Sequence, residues 1–116
     1  MFNAQEIRDE IVDYLVASDI AFSDWYVGIA SDPVTRLFTD HNVDKEAYWI
    51  YKDAGSEECA RAIGEFIINK HKTKGKSSVE DSATGYKTAQ HVYAYAITGT
   101  TKQPAMDKRN VSRRGK

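Results

Sequence analysis

Apolar positions along the chain follow two rhythms, one near 3.6 residues and one of two, and these set the expected elements. Ile7, Ile11 and Leu15, with Val12 and Val16, form a helical stripe that predicts a first helix over 4–17, with Asn3 and Glu6 spaced for a capping box. Alternation then predicts a strand near 24–30. It places Trp25, Val27 and Ile29 on one face and Tyr26, Gly28 and Ala30 on the other. The first face should meet the helices, leaving Tyr26 over a nearly bare surface.

"SDP" opens a second helix, with Asp32 as N-cap and Pro33 at its first position. Val34, Leu37, Phe38 and His41 recur at helical spacing, and Asn42 can end the helix in the left-handed conformation. "AYWIYKD" (47–53) reads as a second strand. Ser56 caps a third helix running to about His71, with Glu57 and Glu58 at the positive end of its dipole. The polar, Gly/Ser-rich stretch 72–87 reads as a loop. "AQHVYAYAIT" (89–98) gives a third strand, with His91, Tyr93 and Tyr95 on one face. The expectation is an α+β protein with a small three-stranded, mainly antiparallel sheet flanked by about three helices. One domain would span 1–100, followed by a basic, disordered tail over 101–116.

Length and composition agree with one modest core: 116 residues, 41% hydrophobic and 28% charged. No apolar run reaches the ~18 residues of a membrane span, and the N-terminus lacks the layout of a secretory signal. The single cysteine, Cys59, cannot close an internal disulfide, which suits a cytoplasmic protein, and it reads as a small buried hydrophobe. The net charge of −1 hides an asymmetry. Residues 1–69 hold fourteen Asp/Glu and five Lys/Arg, whereas 70–116 hold three and eleven. The basic segments 69–76 and 108–116 fit a polyanionic partner, DNA more than RNA, or simply a solubilising loop and tail. No Gly-rich phosphate loop, zinc-ligand spacing or G-x-S-x-G motif is present in the sequence.

The stretch "YVGIASDPVTRLF", with Arg36 eight residues after Gly28, resembles the second signature triplet and following helix of the GIY-YIG nuclease superfamily. Ala62-Ile63-Gly64-Glu65 resembles that family's A-x-x-E pattern. The GIY-YIG-like core would cover about 24–98. The resemblance implies a metal-dependent endonuclease hydrolysing phosphodiester bonds of DNA, often one of phage or mobile elements. Tyr26 would contact the phosphate or the attacking water, Arg36 would clamp the phosphate, and Glu65 would hold Mg²⁺. Gly28 would let the substrate backbone come close. Each role suits its side chain: a hydroxyl orients water, a guanidinium forks onto phosphate, and a carboxylate anchors a hard cation.

The chain departs from the pattern in two places. Where the first triplet belongs stands "YLVASDIAFS", without Gly-Ile-Tyr. Strand 89–98, if it lies beside strand 24–30, would offer Tyr93 or Tyr95 instead. His41 comes five residues after Arg36, where the family has a His at four, and takes no role from the resemblance. Glu65 also lies opposite the helical stripe of Cys59, Ile63, Phe66 and Ile67, aligned with Arg61, as on a solvated face with an ion pair. Two further expectations therefore stand beside the nuclease: a catalytically impaired GIY-YIG-fold protein binding nucleic acid or protein, and an unrelated α/β interaction domain. The sharpest structural expectation is that Tyr26, Arg36 and Glu65 converge in one shallow basin.

Overall fold

The structure is a computed structural model that describes residues 4–79 and 89–102. Asn3, the expected loop beyond 79 and the tail from 103 lie outside the described residues. Helix α1 (Ala4–Ala17) buries Ile7, Ile11 and Leu15, the expected stripe, whereas Val16 at its end is exposed. Strand β1 (Trp25–Ala30) leads through Asp32, whose carboxylate accepts from the Thr35 N–H, into the short helix α2 (Pro33–Thr35). Strand β2 (Trp49–Asp53) precedes helix α3 (Glu57–His71), capped by the Ser56 hydroxyl on the Cys59 N–H. Strands β3 (Lys74–Val79) and β4 (His91–Ala96) complete the fold.

Among the described residues the sheet has four strands in the order β2-β4-β1-β3, not the expected three. β4 lies antiparallel to both β1 and β2, so the expected pairing of 24–30 with 89–98 holds. β3 runs parallel to β1, making the sheet mixed. The sequence masked β3 because its pairing rests on backbone rather than on apolar alternation. Gly75, opposite Val27, adopts φ +141°, and a Cβ there would run into the Val27 carbonyl oxygen. β4 is an inner strand, paired on both sides.

Each face of the sheet carries its own core. Trp25, Val27, Ile29, Val92 and Ala94 pack under α1 and α3, as the alternation in β1 requires. Tyr26, Ala30, Tyr93 and Tyr95 pack on the other face with Leu37 and Val43. The surface expected to be bare under Tyr26 is thus a second core.

Candidate functional site

The second core is built from three tyrosines and a histidine. β1 and β4 alternate in step, opposing Tyr26 to Tyr95 and Gly28 to Tyr93, so all three phenols share one face. The Tyr26 ring stacks on Tyr95 with centroids 5.3 Å apart and meets His41 at 5.1 Å. His41 arrives by an unusual turn. Residues Arg36–Asp40 bond i→i+5, with the His41 N–H donating to the Arg36 carbonyl (2.8 Å), and Asn42 then takes the left-handed φ of 58°.

The imidazole bonds on both sides. Nδ1 lies 2.6 Å from the Lys102 carbonyl, which can only accept, so Nδ1 carries a hydrogen. In the neutral ring Nε2 then accepts from the Tyr93 hydroxyl at 2.9 Å. The Tyr95 hydroxyl, 3.0 Å from Nδ1, donates toward the same Lys102 carbonyl. The Lys102 N–H returns to the His41 carbonyl at 2.7 Å, so the chain is held to His41 as far as residue 102. All three tyrosines are fully buried and His41 is 2% exposed. A cluster this enclosed ties two chain segments together and offers no room for a phosphodiester.

The four sequence-derived residues do not meet. Tyr26 sits inside the second core. The space beside Gly28 is filled, since a Cβ there would stand 2.5 Å from the Tyr93 hydroxyl oxygen. Arg36 is on the same side of the sheet, its side chain 16% exposed and its Nη1 2.8 Å from the Asp40 carboxylate. Glu65 is on the opposite side. α3 presses Ala60, Ile63, Gly64 and Ile67 onto the Trp25/Val27/Ile29 face, and Glu65 points outward from that helix. It lines an open groove of about 490 Å³ with Ala62, Phe66, Asn69 and Lys70. The expected basin is not formed because a whole sheet stands between this carboxylate and Tyr26 and Arg36. Arg61, the expected neighbour of Glu65, pairs with Glu57 instead (2.6 Å).

For Mg²⁺ the donor type at Glu65 is suitable, but among the described residues no group of three His, Cys, Asp or Glu side chains converges. An ion at Glu65 could not reach a phosphate held at Arg36. Those positions do not fit a shared metal-and-phosphate centre.

The basic segment 69–76 runs from the end of α3 into β3. α3 ends at Lys72, which takes φ 64° as a left-handed cap, and Lys70, Lys72 and Lys74 are exposed along the α3–β3 edge. Lys74 Nζ donates to the Ser23 carbonyl at 2.8 Å. His71 is held between Phe22 and Phe66, with centroids at 4.6 and 6.0 Å. The sequence displayed these lysines openly. It did not display the His41 network, whose one signal was the shared parity of Tyr26, Tyr93 and Tyr95.

Compared with protein-family models, with curated proteins and with solved structures, the chain matches none of them. Among the described residues no helix is long and apolar enough to cross a membrane.

Proposed function

We propose that this chain is a nucleic-acid-binding module of GIY-YIG-like layout whose cutting residues are not assembled. The observation that carries this reading is the separation of Glu65 from Tyr26 and Arg36 by the sheet. What recommends nucleic acid is the exposed lysine edge of Lys70, Lys72 and Lys74, which continues in sequence to Lys76. Three lysines on phosphates release counterions and give a log–log salt slope of about −2.7 on duplex DNA. Fluorescence anisotropy of a labelled duplex across a salt series measures that slope. The double substitution Lys70→Gln, Lys72→Gly should make it shallower by about two. A wild-type slope near zero removes the proposal.

The endonuclease reading keeps one specific support. In an i→i+5 turn the fifth residue takes the place that the fourth holds in an α-helix. The wide turn therefore lets His41, five residues after Arg36, stand where a residue four on would stand in an α-helix, with its ring taken up by Tyr93 and Lys102. Mg²⁺-dependent nicking of plasmid DNA, lost in both Glu65→Gln and Arg36→Ala, would restore that reading. Cleavage that survives both substitutions would mark a contaminant.

A further inference from the structure

Among the described residues the sheet ends on one side at β2, and this edge is chemically distinctive. The Ala96 N–H donates to the Tyr48 carbonyl and the Ala54 N–H to the Gln90 carbonyl. Even-numbered residues of β2 therefore turn their backbone toward β4, whereas Trp49, Tyr51 and Asp53 turn theirs outward. The Trp49 N–H is taken by the Tyr14 hydroxyl at 3.3 Å, but no described strand lies along Tyr51 and Asp53. A lysine in an edge strand normally discourages pairing. Here the Lys52 ammonium is held by Glu10 at 2.8 Å.

Beside this edge lies a row of rings. Trp49 and Tyr51 are nearly parallel, 11° apart with centroids at 6.0 Å, and Phe38 meets Trp49 edge-on at 5.0 Å. Tyr51 is 38% exposed and Tyr48 48%. The surrounding charge is negative. With the ion-pair partners Arg36 of Asp40 and Glu10 of Lys52 included, five acids (Glu10, Asp40, Asp44, Glu46, Asp53) stand against three bases (Arg36, Lys45, Lys52). Lys45 already lies 5.5 Å over the Phe38 ring. Asp53 accepts from the Gly55 N–H and from Gln90, which hold its carboxyl below the usual aspartate range.

We infer that the outer edge of β2 takes an extended, arginine- or lysine-bearing peptide as a fifth strand. Its backbone would bond to Tyr51 and Asp53, and its alternate cationic side chains would lie over Trp49 and Tyr51 and beside the acidic rim. Charge selects this occupant. A nucleic acid would bring phosphates against the carboxylates. A second copy pairing antiparallel through β2 would set two identical acidic rims together. This surface is separate from the lysine edge, so the two sites fail independently.

The test is titration of the full chain with a short peptide alternating arginine and valine, read by tryptophan fluorescence and by the Tyr51 and Asp53 amide resonances. Two controls are the same peptide with alternate backbone amides methylated and a glutamate-for-arginine version. Saturable binding that shifts both amides supports the site. So does an affinity loss of about fivefold or more in the methylated peptide and in Tyr51→Ser, which removes the ring without adding charge, with duplex binding by Tyr51→Ser unchanged. Equal affinity for the methylated or the glutamate peptide overturns it. Self-association of the chain that Tyr51→Ser abolishes also overturns it, by giving the edge to a second copy.

Discussion

Gly28 shows how one missing side chain organises a core. The Tyr93 ring occupies the place where a Cβ would stand, with its Cζ 2.6 Å and its Cε2 2.9 Å from that point, and its hydroxyl is fixed on His41. Neither group has slack, because Tyr93 is fully buried. Gly28→Ala should therefore destabilise the protein by about 1–3 kcal/mol through overpacking. That outweighs the ~0.5–1 kcal/mol an alanine otherwise gains over glycine inside a strand. A urea denaturation curve with a lower midpoint and unchanged slope is the expected result. A midpoint at or above wild type would mean that Tyr93 does not occupy the position described. The resemblance assigned this glycine to a substrate's approach, but here it admits a neighbour's phenol.

At the level of elements, those whose apolar rhythm is local were legible in the sequence. Helices 4–17 and 57–71 followed from Ile7, Ile11 and Leu15 and from the Ser56 cap, and β1 and β4 followed from alternation. β3 was not legible, because Lys74–Val79 pairs through backbone around a glycine. The wide turn at Arg36–Asp40 escaped too. Its five residues read as ordinary helix until the packing of His41 fixes the ring's direction. The α3–β3 junction is a further case. Lys72 holds a left-handed φ of 64°, which a side chain adopts at a cost. Lys72→Gly should raise stability by about 0.5–1 kcal/mol while weakening duplex binding, because it removes a cation from the basic edge. Denaturation and anisotropy on the same variant should move in opposite directions. Two losses together would show that the lysine side chain itself supports the helix end.

Across the whole molecule, strand order sets where the structure is hardest to open. β4 is paired on both sides, β1 lies beside it, and each has one core on either face. Even-numbered β4 residues turn toward β2, as Ala96 does to Tyr48, while the odd-numbered side faces β1, as the Ile97 N–H does to Asp24. Opening β4 breaks both ladders and both cores, so its amides should exchange with solvent only on global unfolding. Tyr51 and Asp53, whose N–H groups face outward from β2, should exchange fastest within the sheet. Native-state hydrogen exchange should therefore rank Val92, Tyr93 and Ala94 at the slow limit and Tyr51 near the fast one. The same ranking bears on both proposed surfaces. The lysine edge at α3–β3 and the outer edge at β2 lie at opposite ends of the sheet order, separated by its two best-held strands. A partner added at β2 should slow Tyr51 and Asp53 without changing the amides around Lys72. Slowing at both ends by one partner would instead couple the two edges through β4 and β1, and they could then no longer be treated as independent.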